Sequence, residues 1–271
     1  MSYQPCTVRG YIKSAPSDDT LSFSDVREGF ENAQASIPSD TKEHNLTDLV
    51  PVVNQLSLGS CVANATAGAL EILLGIQDPT SVVMLSRLFL YWNSRLASKT
   101  TDKDDGTMPS ICFSEMTALG VCSEKTWPYA VSQVFSQPPL QAYREGIDNK
   151  ITAAYNVDDG DKDQMLNDME IAVKANHPVV FATSVDVAFT EDFELAENAS
   201  TFDPPNSSMI AGNHCMIVVG IRYDANGKRQ YKIKNSWGTS WGFGGYCWFT
   251  ENYIKLSFDV WVPTLVPNIL L

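Results

Sequence analysis

The chain has 271 residues, 44% of them hydrophobic, with a formal net charge of −13. That is enough chain to bury a core in one large domain or two lobes. The acidic balance argues against nucleic acid or an anionic membrane surface as a partner, since either needs a basic face, and without an apolar run of about 18 residues no membrane-spanning helix is expected.

Residues 1–45 open with Met1-Ser-Tyr-Gln-Pro-Cys6, which has neither the basic nor the apolar region of a secretory signal. This places the chain in the cytoplasm, with a non-classical export route left open. The segment is polar, with only Tyr11, Ile12, Leu21, Phe23 and Phe30 as larger apolar residues. It is expected to lie on a core as an N-terminal arm rather than to build one, and no long helical pattern is visible in it.

From Leu46 the pattern becomes denser. Val50-Pro51-Val-Val-Asn54 reads as an extended lead-in, since Pro51 keeps Val50 out of the helical region. Gln55-Leu-Ser-Leu-Gly-Ser-Cys61 then delivers a cysteine to the first turn of an Ala-rich, apolar helix, with Ser60 as the expected N-cap. Backbone N–H groups and the helix dipole at that end favour an anion, so Cys61 is a candidate nucleophile with a lowered thiol pKa. Gln55, six residues upstream, can fold back so that its amide and the Cys61 N–H form a two-donor oxyanion hole.

Apolar spacing over Ser86–Leu96 predicts a second helix. A charged loop ends in Asp104-Asp-Gly106-Thr107, and Ser114–Gly120 reads as the end of a short helix capped by Gly120. Trp127 and Tyr129 are expected core anchors, and a lobe boundary falls near residues 135–150. Ile151–Tyr155 is an expected strand, Asp163–Lys174 an amphipathic helix, and Pro178–Phe181 a buried strand. His44 and His177 are read as structural.

Thr183–Ile210 is long, acidic and dominated by loop, anchored by Phe189, Phe193 and Phe202. It leads to Asn213-His214 at the start of an apolar strand. Asn226-Gly227 signals a hairpin. In a two-residue hairpin Asn235 falls opposite Val218, several residues away from His214. Asn235-Ser-Trp237-Gly-Thr-Ser-Trp241-Gly-Phe-Gly-Gly-Tyr246 follows as a tight loop around bulky rings, then further short strands and a tail over 263–271.

The ordered set Gln55, Gly59-Ser60-Cys61, Asn213-His214 and Asn235-Ser-Trp-Gly-x-x-Trp-Gly-x-x-Gly-Tyr resembles the papain family of cysteine peptidases, over about residues 46–262. Asn54-Gln-Leu-x-Leu-Gly-Ser-Cys-Val-Ala-Asn-Ala is most similar to its bacterial, xylellain-like branch. The resemblance implies an α+β, two-lobe fold: a helical lobe over about 46–145, an antiparallel barrel-like lobe over about 146–262, and a cleft between them. It implies a Cys61–His214–Asn235 triad, with Cys61 and His214 as a thiolate–imidazolium pair, and Gln55 with Cys61 as the oxyanion hole. Protein or peptide substrates are cut through a thioester, and no metal or other cofactor is implied. Gly106 is carried over as a backbone contact for substrate. Asn213, Trp237 and Met209 are further substrate-binding candidates, with Trp237 also shielding the Asn–His bond.

Val62 stands where papain has Trp, and Leu58 where secreted relatives carry a disulfide cysteine. With Cys61 set aside as nucleophile, the other five of the six cysteines read as buried apolar residues. Cys112–Cys122 is the one candidate bridge. The family's long helical pro-segment has no counterpart, which leaves two readings of residues 1–45: a surface arm, or a segment that crosses the cleft and occludes it. Two rival functions also remain, transfer of the acyl group to an amine or alcohol, and a non-catalytic binding module.

Overall fold

The computed structural model describes residues 8–38, 41–46, 49–80, 82–191, 195–197 and 200–265. Cys6, Phe193 and most of the expected tail lie outside the described residues.

The helical lobe is built on α2 (Cys61–Gln77), whose residues are buried almost throughout. A helix this apolar on all sides sits in the middle of a core rather than on its surface. Gly68 allows the close contact with the neighbouring sheet, since a Cβ there would lie 2.9 Å from Ile217 Cδ1. Around it pack α3 (Arg87–Ala97), capped by the Ser86 hydroxyl, and α4 (Pro109–Ala118), which starts earlier than the sequence suggested because Pro109 occupies its first turn. Gly120 follows the end of α4 with φ 70°, as expected of the residue beyond a helix C-cap.

Ser60 stands at the N-cap of α2, but its side chain makes no capping bond. Its hydroxyl is instead engaged by the Tyr129 phenol at 2.6 Å and by Asn64 Nδ2 at 2.9 Å. Tyr129 and Trp127 are half-buried against the core rather than inside it. Cys112 and Cys122 are free thiols and form no bridge; Cys112 Sγ lies 3.1 Å from the Ser94 hydroxyl.

The second lobe follows α5 (Leu140–Gly146) and is an open, eight-stranded sheet. Its strands are β1 (Glu43–Asn45), β2 (Ala153–Asn156), β3 (Val179–Asp186), β4 (Thr201–Phe202), β5 (Ile210–Tyr223), β6 (Arg229–Lys234), β7 (Tyr246–Thr250) and β8 (Phe258–Thr264). The order is β2-β8-β3-β5-β6-β7-β4, with β1 added on β5. The pairing is antiparallel apart from β4–β7, which is parallel, and the strand order does not close into a barrel. The amphipathic α6 (Lys162–Lys174) lays Met165, Leu166 and Met169 into the core. Two short helices, α7 (Val187–Glu191) and α8 (Glu251–Ile254), complete the lobe.

The N-terminal arm does more than lie on the surface. It contains a helix, α1 (Arg27–Gln34), that the sequence reading missed, and Phe23 and Phe30 are buried members of the core. Arg27 forms a two-pronged bond to Asp168 of α6, both contacts at 2.7 Å. Phe30 also meets the His177 ring, whose Nδ1 lies 2.8 Å from Ala175 O, which fits a structural histidine.

Candidate active site

Cys61 enters the site as the first residue of α2. The turn before it is sharp: Leu56 adopts φ 54°, an unusual value for a branched residue, and its N–H is held by Asn54 Oδ1 at 2.8 Å. This turn folds Gln55 back, where it is fully buried and tied on several sides. Its N–H donates to Ser236 O at 2.8 Å, its Oε1 accepts from the Ser236 hydroxyl at 2.7 Å, and its Nε2 donates to Leu58 O at 3.0 Å. A side-chain amide fixed at both ends is a preorganised donor. Ser236, the residue that fixes it, was not singled out from the sequence, although it lies inside the Asn-Ser-Trp motif.

His214 stands on β5 and Asn235 just past the end of β6. The two-residue-hairpin register is corrected by a longer turn and by a bulge between Val218 and Gly220, which pairs Ile217 with Lys234. Asn235 is then drawn toward His214, and His214 Nε2–H donates to Asn235 Oδ1 at 2.8 Å. With Nε2 as donor, the neutral ring keeps its lone pair on Nδ1, which has no other partner and can accept a thiol proton. Trp237 stacks on the imidazole, ring centres 4.5 Å apart, and is itself buried. Its ring also meets those of Phe189 and Trp241, with centres 5.5 Å away in each case.

The Cys61 thiol lies against β5, close enough for the Cys215 N–H to act on it together with those of Cys61 and Val62. Cys61 and His214 are both 0% exposed. Burial pushes the thiol up to about 12, although those N–H groups pull the other way, and lowers the imidazole to about 4, against the Asn235 bond. These directions are opposite to those of the expected ion pair. Burial disfavours the charged form of each group.

The arm runs beside these residues. Gly10 O accepts from Thr107 N–H at 3.1 Å, and Ile12 N–H donates to Thr107 O at 2.9 Å, a parallel bridge centred on Tyr11. A Cβ on Gly10 would meet Gly59 O at 2.4 Å, and one on Gly106 would meet the Gly10 carbonyl carbon at 2.4 Å. On the other lobe, Val8 packs against Gly212, two residues before His214. The arm therefore bridges the cleft from the Gly106 loop to the β5 strand. Asp104 supports the loop, accepting from Gly59 N–H at 3.0 Å and from the Tyr91 phenol at 2.6 Å.

Gly106 is buried beneath Gly10. Asn213 is exposed, with its Oδ1 accepting from the Ser184 hydroxyl at 2.9 Å, and Met209 is 49% exposed at the rim. Among the described residues no group of His, Cys, Asp and Glu has the arrangement of a metal site.

An uncharacterized peptidase C1-like protein of Acanthamoeba polyphaga mimivirus is 29% identical over 216 residues, 78% of this chain and 68% of that protein. Cysteine proteinase 3 of Dictyostelium discoideum is 27% identical over 75% of this chain, which spans 56% of its length. Among solved structures, xylellain, a cysteine protease from Xylella fastidiosa, superposes with a TM-score of 0.78 at 27% identity, covering 98% of this chain and 99% of that one. The ragweed pollen cysteine protease Amb a 11, in its proform, matches with a TM-score of 0.65 at 20% identity over 86% of this chain and 69% of that one, a likeness in fold. The sequence profile of the papain family cysteine proteases matches residues 37–259, and the chain belongs to that family.

Proposed function

We propose that the protein is a cysteine peptidase that cuts peptide bonds through Cys61, His214 and Asn235, and that the described form is its covered state. The observation that carries the reading is the pairing of His214 Nε2–H with Asn235 Oδ1, which leaves Nδ1 without a partner on the residue next to Cys215, whose N–H acts on the Cys61 thiol at the start of α2. In the uncovered site, water and substrate replace the arm, and the proton passes from Cys61 Sγ to His214 Nδ1. The helix N-terminus then stabilises the thiolate, and Asn235 holds the ring without adding a charge. The thiolate attacks the substrate carbonyl carbon; the oxyanion is held by the Cys61 N–H and the Gln55 amide, and His214 protonates the leaving amine. Water, deprotonated by His214, then cleaves the thioester.

The arm fits self-occlusion because it lies along the Gly106–Thr107 backbone, the edge on which an extended substrate would be paired. Asn213 and Met209, at the rim of β5, are the residues placed to contact substrate beyond that edge.

The test is hydrolysis of a denatured protein by the full chain, by Tyr11→Ala to loosen the arm, and by Tyr11→Ala/Cys61→Ala. Cleavage by the first two, faster in the second and absent from the third, is expected. Cleavage that survives loss of Cys61 would end the assignment, and acyl transfer to an added amine in preference to water would move it to a transferase.

A further inference from the structure

One phenol joins the two ends of the turn that delivers Cys61. Tyr129 Oη–H donates to Gln55 O at 2.8 Å, and the same phenol oxygen lies 2.6 Å from the Ser60 hydroxyl. In the mechanism above, Gln55 carries one oxyanion donor, and Ser60 directly precedes the other, the Cys61 N–H.

The direction of each bond is fixed by what its partners can do. A guanidinium only donates, so Asn64 Oδ1 accepts from Arg87 Nη1 at 3.1 Å. Asn64 Nδ2 is thereby turned to the Ser60 hydroxyl and carbonyl, donating to both at 2.9 Å. A carbonyl only accepts, so the single proton of the phenol goes to Gln55 O, and the phenol oxygen accepts the proton of Ser60. The result is a one-way chain from Arg87 through Asn64, Ser60 and Tyr129 to Gln55, in which each bond polarises the next. Burial pushes the phenol up to about 12, so it keeps the proton that the chain uses.

The ring is held as firmly as the hydroxyl. The guanidinium carbon of Arg87 lies 4.1 Å from the ring centre, and Arg87 is paired with Glu124 at 3.1 Å. The Tyr129 N–H donates to the same Glu124 oxygen at 2.7 Å. Ser60, meanwhile, stands at the N-cap of α2 without capping it. Diverting that hydroxyl to Tyr129 gives up a favourable cap, which fits a role in placing the site rather than in stabilising the helix.

We propose that Tyr129 is a positioning residue of the oxyanion hole: by engaging Gln55 O and the Ser60 hydroxyl with one oxygen, it sets the separation between the Gln55 amide and the Cys61 N–H. The inference rests on the peptidase reading and adds to it a residue 74 positions from Gln55, outside the catalytic motifs. Ser236 holds the Gln55 side chain, and Tyr129 holds its backbone. Without the phenol hydroxyl the two donors are no longer tied together, while Cys61, His214 and Asn235 keep their own contacts.

The experiment uses the full chain carrying Tyr11→Ala, alone, with Tyr129→Phe, and with Tyr143→Phe. Phe keeps the ring against which Arg87 lies. Tyr143 is a control from the same lobe, its hydroxyl donating to Asn93 Oδ1 at 3.1 Å. One reading is kcat and KM for a peptide spanning a site cut in the denatured protein. A second is the rate of Cys61 alkylation by iodoacetamide, a displacement of iodide that forms no oxyanion. The third is protection of Cys61 from that reagent by N-acetylglycinal, a minimal peptide aldehyde whose adduct with the thiol sets its oxygen in the hole. Tyr129→Phe is expected to lower kcat and aldehyde affinity by about tenfold or more, with KM and alkylation within about twofold of the parent. Tyr143→Phe is expected to change none of them.

Unchanged kcat and aldehyde affinity in Tyr129→Phe would overturn the positioning and leave the peptidase standing. A matching fall in alkylation would also overturn it, by placing the effect on the thiol or the fold. Aldehyde affinity that depends on the phenol, without any cleavage, would overturn the peptidase and leave the positioning. Neither cleavage nor aldehyde protection would overturn both.

Discussion

Gly10 of the arm is pressed against Gly59, two residues before the nucleophile, so closely that a Cβ on Gly10 would stand 2.4 Å from the Gly59 carbonyl oxygen. The contact is backbone against backbone and has no flexible side chain to yield. Gly10 also has φ 153°, a value that L residues rarely adopt. Gly10→Ala should therefore dislodge the arm: backbone strain of about 1–3 kcal/mol corresponds to a ~5- to 150-fold shift toward the uncovered site. The measurement is initial rate of peptide hydrolysis, with Gly160→Ala as control, since Gly160 also has positive φ but nothing within 4 Å. Equal rates for Gly10→Ala and the unaltered chain would count against occlusion. Truncation near Glu43 is the poorer test, because it removes Phe23 and Phe30 from the core.

Gln55 is held by Ser236 and Leu58, so its amide keeps its place whether or not substrate is bound. Gln55→Ala should lower kcat by ~100-fold or more with little change in KM, as expected for a donor that acts on the transition state. A loss below about tenfold would remove Gln55 from the oxyanion hole. Ser236→Ala frees one end of the amide and should show a smaller loss in the same parameter.

The pH dependence of arm opening separates a proton that moves from one that is gained. In the unaltered chain, opening transfers a proton from Cys61 to His214 with no net uptake, so the equilibrium should be flat between about pH 5 and pH 8. In Cys61→Ala, His214 stands alone. Its value in the covered site is about 4, lowered by burial, and returns to ~6.5 in water. For a base depressed in this way, the contribution to the covered state is fully present above ~6.5 and is lost as pH falls toward about 4. Acid should thus open the arm in Cys61→Ala only. Hydrogen exchange at the Ile12 and Thr107 amides, which join arm to loop, reads this directly. The same pH profile in both chains would show that the two groups do not exchange a proton on opening.

The loop carrying the arm's seat was only half visible in the sequence, and the reason is physical. Cys61, Gln55, His214 and Asn235 occur in motifs whose residue types state their chemistry; Cys61 lies against the β5 strand that carries His214, His214 is joined to Asn235, and Gln55 is tied to Ser236. The fold class was legible through the resemblance that the same motifs carry, and apolar spacing marked α3 and α6. The His214–Asn235 contact was not derivable from a simple hairpin, because it depends on a bulge that pairing rules do not specify. The seat of the arm was invisible to local pattern. It arises from Val8, Gly10 and Tyr11 meeting Gly212, Gly59 and Asp259, residues distant in sequence. The missed helix α1 is short, and Phe23 and Phe30 show their role only once α6 and His177 supply the other wall. The predicted thiol shift followed from the helix N-terminus alone. In the covered site, burial outweighs it.

Glu71 gives a stability test independent of catalysis. It is buried in α2, accepts the Leu85 N–H at 2.6 Å, and is pushed by burial up to about 7 despite that bond and the nearby Lys234 and Arg87. A carboxyl raised in the folded state contributes stability that is fully present below its unfolded value of ~4.3 and is lost as pH rises through the folded value of about 7. Glu71→Gln should remove that slope, with a difference between the two chains of roughly 3 kcal/mol at most across the window. Urea midpoints measured from about pH 4.5 to pH 7.5 check it. Parallel curves for the two chains would mean that Glu71 stays ionised inside the fold.

The measurement that bears most directly on a covered cysteine peptidase is the rate of Cys61 alkylation by iodoacetamide between about pH 4 and pH 9, in the full chain and in Gly10→Ala, with the labelled residue located by mass spectrometry. The account predicts slow labelling of the full chain at every pH. It predicts fast labelling of Gly10→Ala that persists well below pH 7, where only an ion-paired thiolate reacts. Fast labelling of the full chain would contradict the covering, and labelling of Gly10→Ala that rises only near the free-thiol value of ~8.5 would contradict the Cys61–His214 pair itself.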